Sequence, residues 1–333
     1  MPDQRGAAQA IAPGIVHDFP GDAPALTGRP SVARYRALAH YMRGFDLVLT
    51  YNWGAMDAVA ARRLFPTGCP PLIHHEDGFN DDEAKGLFLR RSWFRRAMLP
   101  AAQAVIVPSA CLERIATRVW RQPPARVHRV GNGIALKAYG ARPEPGVIPG
   151  LTRGPEDIII GTVAGLRPVK NIPRLVAAFA QLPRHVRLVV VGEGPDRPRI
   201  VAAAQHHGVA ARVLLPGHLP NPHRYLGHFD VFALSSDSEQ APISLMEAMA
   251  AGLPVAATDV GDVREMVSPE NAPFIVAPET GPLAAALAHL VSQGAIRQRL
   301  GAANQARAKS AFGDAQMLAD YARLYGFRNL ISG

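Results

Sequence analysis

Two glutamates eight positions apart, Glu239 and Glu247, flank a Pro-Ile-Ser step in the run SSDSEQAPISLMEAM (235–249). A short apolar stretch, Val231–Leu234, leads into this polar loop, and Pro242 suits the first turn of a helix opening at Pro242 or Ile243. The backbone N–H groups of Ile243 and Ser244 then lack helical acceptors and offer a seat for an anion such as a diphosphate. At ~1.5 Å rise per residue the two carboxylates stand on the order of 10 Å apart. That is wider than the roughly 5–9.5 Å of a glycoside-hydrolysing acid–base pair. The spacing suits two ends of one long ligand, with the helix terminus between them. An ordinary capped helix with one surface glutamate fits the same spacing equally well.

Elements that position these residues follow from the hydrophobic pattern. Short apolar runs alternate with longer Ala/Leu/Arg runs, which predicts an α/β fold of βαβ units on parallel sheets. Strands are expected at Asp46–Thr50, Leu72–His75, Ala104–Val107 and Arg126–Val130, then at Asp157–Val163, Arg187–Val191, Arg212–Leu215, Val231–Leu234, Pro254–Ala257 and Phe274–Val276. Helical patterns cover Gly54–Leu64, Gly86–Leu99 and Ser109–Trp120, with Ser109 as N-cap. Prolines 143, 145, 149 and 155 and glycines 140, 146, 150 and 154 break the pattern and predict an interdomain linker over 140–155. Two such domains face each other across a cleft at the carboxyl ends of their strands, where open α/β sheets bind ligands.

Composition narrows the classes. The chain has 333 residues, is 48 % hydrophobic and 19 % charged, and carries a formal charge of +9, which excludes wholesale disorder. Cys69 and Cys111 are too few for a disulfide scaffold and form no metal knuckle. The N-terminus has no secretory layout, and the apolar stretch 242–257 is interrupted by Glu247, Gly252 and Pro254, so a soluble, cytoplasmic protein is expected. Twelve Lys+Arg against the single acid Glu113 give residues 85–142 a local charge of +11. Such a patch attracts anionic lipid headgroups, phosphorylated substrates or nucleic acid, or is simply a solvated basic face. No RNP or zinc-finger pattern accompanies it, which disfavours nucleic acid. On a helical wheel neither Leu89, Trp93, Phe94 and Leu99 nor Arg90, Arg91, Arg95 and Arg96 gather on one side, so electrostatic contact with an anionic membrane is expected rather than insertion.

Taken with its surroundings, the Glu239–Glu247 pattern carries a resemblance. E-x7-E followed by EAMAAGLPVAATDVGDVREMV (247–267) resembles the donor-binding region of the retaining glycosyltransferases of family 4, which have the GT-B fold. Val163-Ala164-Gly165-Leu166-Arg167-Pro168-Val169-Lys170-Asn171, VVVGEGP (189–195) and Leu215-Pro216-Gly217-His218 are similar to further loops of that family. PSACLERIA (108–116) and Val130-Gly131-Asn132-Gly133-Ile134 resemble the segment leading to its linker. The resemblance implies two Rossmann-like domains: an acceptor-side domain over 1–139, a linker over 140–155, and a nucleotide-sugar domain over 156–312. A final helix over 313–333 (Asp314 to Phe327) crosses back to the first domain.

Roles follow from the same resemblance. Glu239 would hydrogen-bond the donor sugar, Glu247 the ribose, and Lys170 would neutralise the departing diphosphate alongside the N–H groups of Ile243 and Ser244, after Pro242. A histidine beside the donor sugar would be His75 or its neighbour His74, at the end of Leu72–His75. Retention by front-face attack, the leaving phosphate oxygen taking the acceptor proton, needs no protein base, no metal and no cofactor; the sequence has no D-x-D triad. Gly165 stands where the family usually carries arginine, so Arg167 reaches the same phosphate or Lys170 acts alone. The implied partners are a nucleotide-sugar donor and a glycan or lipid-linked acceptor. A non-catalytic GT-B partner that binds nucleotide-sugar without turnover is the alternative. Finally, family members open with a strand, a Gly-rich turn and a helix. Only 44 residues precede Phe45 here, with one strand candidate, Ile15–Phe19. The first domain is therefore expected to be shortened, with a gap in its sheet and the natural protein beginning upstream of Met1.

Overall fold

The computed structural model describes residues 8, 11–26, 28–79, 83, 86–140 and 143–326. Lys85, Arg142 and Phe327, which bound the basic segment and the last helix in the sequence reading, lie outside the described residues. Two all-parallel sheets organise the chain. The first holds β1 (Val48–Tyr51), β2 (Leu72–His75), β3 (Ala104–Val107) and β4 (Val127–Arg129), side by side in sequence order. In the second lie β5 (Ile158–Val163), β6 (Val186–Val191), β7 (Val213–Gly217), β8 (Val231–Leu234), β9 (Val255–Thr258) and β10 (Ile275–Val276), in the order β10-β9-β8-β5-β6-β7. Each strand falls within two residues of an apolar run read from the sequence. Parallel strands are covered on both faces and so read as continuous apolar runs.

Sequential parallel strands joined by right-handed crossovers put every crossover helix on one face. In the first sheet that face takes α1 (Val32–Met42), α2 (Met56–Leu64), α3 (Leu89–Met98) and α4 (Ala110–Arg118), with Leu38, Met42, Val59 and Leu112 packed on Leu72, Val105 and Val107. Ser109 caps α4, its Oγ accepting the Leu112 N–H at 3.0 Å. The other face, carrying Ile73, Ala104, Ile106 and Val130, is covered by Met317, Tyr321, Leu324 and Tyr325 of the last helix, α11 (Asp314–Tyr325).

Two expectations about the start of the chain are corrected. Ile15–Phe19 forms no strand: it is irregular, and Val16 is 99 % exposed, with no strand partner among the described residues. Nor does the first sheet have a gap. β1 pairs in register with β2 from Val48↔Leu72 to Tyr51↔His75, and among the described residues β1 is an edge strand.

The second sheet is doubly wound. Side chains alternate along its strands, so Ile160, Leu188, Val190 and Val231 meet α5 (Ile172–Phe179), α6 (Arg197–His206) and α9 (Thr280–Ser292). Ile159, Val189, Val191 and Phe232 face the opposite way, onto α7 (Ile243–Ala250). The short α8 (Val263–Met266) follows β9, and α10 (Gly294–Ala311) leads to α11.

Candidate active site

Strand order in the second sheet reverses at β5, which pairs with β6 on one side and β8 on the other. The loops after β5 and β8 therefore diverge and open a crevice at the strands' carboxyl ends. Lys170 comes from the first loop and Glu239 from the second, and Lys170 Nζ lies 2.6 Å from Glu239 Oε1. The same oxygen accepts the Ser236 hydroxyl at 2.6 Å. Ser235 Oγ donates to the Lys170 carbonyl at 3.0 Å, and the Asp237 N–H to the Val169 carbonyl at 2.8 Å. Asn171, at a left-handed φ of +43°, starts α5 and accepts the Arg174 N–H on its side chain. Its amide donates to Asp237, whose carboxylate also takes Arg174 Nη2 at 2.5 Å. The two loops are thus bound to each other, and the cation–carboxylate pair is held at their junction.

Backbone closes the adjoining wall. At Gly192 (φ +140°) a Cβ would come 1.8 Å from the Ala164 carbonyl oxygen, so only glycine lets the 192–194 turn pack on the β5 loop. Between that turn, Gly165 and the 218–222 segment lies a cavity of about 340 Å³. Through Val163 and Ala164 it adjoins a smaller recess lined by Lys170, Ser236, Glu239 and Ser244. Pro242 precedes α7, and the N–H groups of Ile243 and Ser244 find no acceptor among the described residues. One turn on, Glu247 accepts the Tyr139 hydroxyl at 3.0 Å. Burial pushes the Glu247 carboxyl above its usual range, and the Tyr139 hydrogen bond opposes this. Burial, then the Glu247 charge, likewise raises the Tyr139 hydroxyl. Arg167 is exposed at the rim, and a Cβ on Gly165 would meet no atom within 4 Å.

The structure brings Lys170, Glu239, Ser244, Pro242 and Ile243 together, with Glu247 one turn along the same helix. It does not bring the histidines to them. Consecutive residues of β2 point to opposite faces, and both faces are covered. His74 is buried toward the crossover helices, with Nδ1 2.9 Å from Thr50 Oγ1 and Nε2 3.5 Å from Glu76. His75 is buried under α11, its Nε2 3.0 Å from the Tyr325 hydroxyl and its ring stacked on Tyr51 at 4.5 Å. Burial, then the neighbouring His74, pushes His75 down to about 4, so it is neutral at pH 7. Asp77, two residues past His75, is exposed.

Three contacts join the domains beside Glu239. Ser109 Oγ donates to the Gln240 side chain at 3.1 Å, and Asn132 Nδ2 to the Ala241 carbonyl at 2.9 Å. Asp262 accepts the Ala110 and Cys111 N–H groups at 2.5 and 3.0 Å. Sequence reasoning missed Ser236, Tyr139, Asp77 and Asp262. Ser236 alone carried a local signal, as a hydroxyl three residues before Glu239; Tyr139 was hidden at the edge of the breaker-rich stretch.

Comparison with known proteins covers both halves. The family described as Glycosyl transferases group 1 matches residues 149–307, and Glycosyltransferase Family 4 matches residues 2–138. A GDP-mannose-dependent alpha-mannosyltransferase of Mycobacterium tuberculosis is 28 % identical over 302 residues, 84 % of this chain and 72 % of that protein. Its counterpart from Mycolicibacterium smegmatis is 29 % identical over 325 residues, 89 % of this chain and 78 % of that protein. Among solved structures, sucrose-phosphate synthase from Thermosynechococcus elongatus superposes with a TM-score of 0.74 at 23 % identity, covering 91 % of this chain and 81 % of its own. Anabaena HepE in complex with UDP-glucose gives 0.71 at 18 % identity, covering 88 % and 82 %. At these identities the superpositions speak for the fold.

Proposed function

Since the chain belongs to the family 4 glycosyltransferases of GT-B fold, we propose that it moves a hexose, with retention, from a nucleotide-diphosphate sugar to a glycan or lipid-linked acceptor. The observation that carries this reading is the Lys170–Glu239 pair set against the open N-terminus of α7. A diphosphate at that terminus gains two backbone donors, from Ile243 and Ser244, and the Lys170 ammonium. Positive charge placed where negative charge develops on the leaving group is a large electrostatic contribution to rate. Displaced from Lys170 by the phosphates, Glu239 is released to accept hydroxyls of the sugar. Glu247, held by Tyr139, accepts the ribose hydroxyls farther along. Lys170 and the helix terminus supply the positive charge that a metal ion provides in other transferases, so the reaction runs without one. The acceptor proton passes to the leaving phosphate oxygen as the new glycosidic bond forms on the same face.

We place the protein on the cytoplasmic face of an anionic membrane, through the basic segment 85–142. Support comes from α3, which buries Ser92 and Arg95 and turns Leu89, Arg90, Trp93 and Arg96 to solvent, Trp93 being 63 % exposed. An apolar rim flanked by arginines suits an anionic interface.

GDP-mannose, the donor of the similar mycobacterial mannosyltransferases, and UDP-glucose, the ligand of the HepE complex, are the first to test. Wild-type protein should hydrolyse one of them slowly without acceptor, and in the presence of chelator. Lys170→Ala should lower turnover by about 100-fold, the scale of one lost transition-state charge contact, and more than Arg167→Ala. Equal activity of Lys170→Ala and wild type would sink the assignment.

A further inference from the structure

Past its buried histidines, β2 turns into the cleft through Glu76, Asp77 and Gly78. Glu76 points inward and pairs with the buried Arg95 at 2.8 Å. Asp77 stays exposed, and its position is built. Its N–H donates to Asn52 Oδ1 at 2.7 Å. Asn52 adopts a left-handed φ of +56° at the end of β1, a conformation that non-glycine residues rarely take. The next residue, Gly78, lies against the opposite domain: a Cβ there would be 3.4 Å from Gln240 Cγ. Gln240 adjoins Glu239. Asp77 therefore immediately precedes the point at which the first domain's wall touches the loop that carries Glu239 in the second.

Resting on the transferase reading above, we propose that Asp77 is the first domain's contact with the sugar being transferred, accepting its hydroxyls from the wall opposite Glu239. Two carboxylates bracketing one ring favour a sugar rich in hydroxyl donors and repel one that carries its own carboxylate. Asp77 thus sets specificity for neutral hexoses over uronic acids. If Asp77 served only to anchor its loop to Asn52, its loss would move stability and leave sugar preference alone.

Calorimetric titration of wild type, Asp77→Asn and Asp77→Ala tests this with UDP, GDP, UDP-glucose, GDP-mannose and the matching uronates, UDP-glucuronate and GDP-mannuronate. Wild type should bind its preferred neutral nucleotide-sugar more tightly than the bare diphosphate, and at least about tenfold more tightly than the uronate. Asp77→Ala should lose the sugar's advantage, and Asp77→Asn should close the gap to the uronate, with the bare diphosphate bound within about twofold of wild type. Asp77 is exposed and Asn keeps its shape, so the Asn variant reports even if the Ala variant folds poorly. Unchanged sugar-to-diphosphate and neutral-to-uronate ratios in both variants would overturn the Asp77 assignment and leave the transferase reading standing. Failure of the wild type to bind any of these nucleotides would remove both.

Discussion

Asp262 offers the sharpest test of how the domains close. It is 8 % exposed and accepts the first two amides of α4, at 2.5 and 3.0 Å, from the opposite domain. When the domains part, both sides return to water, so only the net worth of the contact counts. Hydrogen bonds to a charged group are worth about 1.5–3 kcal/mol net, and a carboxylate at a helix N-terminus adds roughly 0.3–1 kcal/mol. Counting only one such bond at the low end together with the terminus, about 2 kcal/mol, Asp262→Ala shifts the closing equilibrium at least roughly 30-fold toward open. Asp262→Asn should lose most of this, because it keeps one acceptor and turns an amide donor toward helix amides. The assay is a distance distribution between labels at Arg63 on α2 and Ala202 on α6, both exposed, with Cys69 and Cys111 replaced by serine. Wild type should show one short population, and Asp262→Ala a second, longer one that shrinks when nucleotide is added. Superimposable distributions in the two proteins would refute the idea that this carboxylate holds the closed state.

Two other outcomes follow from the same geometry. Gly165→Arg should tighten UDP or GDP binding by about three- to tenfold at unchanged stability, since its Cβ meets no atom within 4 Å and the new cation joins Lys170 at the crevice; weaker binding by calorimetry would show that the loop presents this position elsewhere. His75, 1 % exposed, is pushed down to about 4 from 6.5, so between those values the unfolded chain binds the extra proton. Stability is therefore full above pH 6.5 and falls as the pH drops toward 4, by on the order of 2–3 kcal/mol. Urea midpoints at about pH 7, 5.5 and 4.5 should follow that course in wild type and flatten in His75→Gln; parallel curves would remove His75 as the cause.

Much of the fold was legible because buried parallel strands leave uninterrupted apolar runs, and Val186–Val191 or Ala104–Val107 can hardly be anything else. Ile15–Phe19 has a similar composition, but a strand needs a partner, and pairing is not a local property. The helix Val32–Met42 went unread because its polar residues alternate irregularly with its three buried ones, Leu38, Ala39 and Met42. Glu239 could be picked out from its spacing to Glu247 in a strand-to-helix loop, and Lys170 from the resemblance of its own loop to the family's. The burial of the histidines has a tertiary cause. Whether a side chain at the end of β2 reaches the cleft depends on α11, some 240 residues later, whose Tyr325 covers His75. Asp262 was illegible for the same reason, its partners lying 151 and 152 residues away.

The covering of the first sheet by α11 also has a consequence in time. During synthesis β1 to β4 and their crossover helices emerge first, but Ile73, Ala104, Ile106 and Val130 wait for Met317, Tyr321 and Leu324. At ~5–20 residues per second, the stretch between Val130 and Met317 takes roughly 10–40 s to make. Through that interval the first domain presents one bare apolar face to solvent and to its own unfinished partner. Such a surface is an invitation to chaperones and to aggregation. Loss of the last helix would accordingly be felt first at the opposite end of the chain, in the domain that was made earliest and finished last.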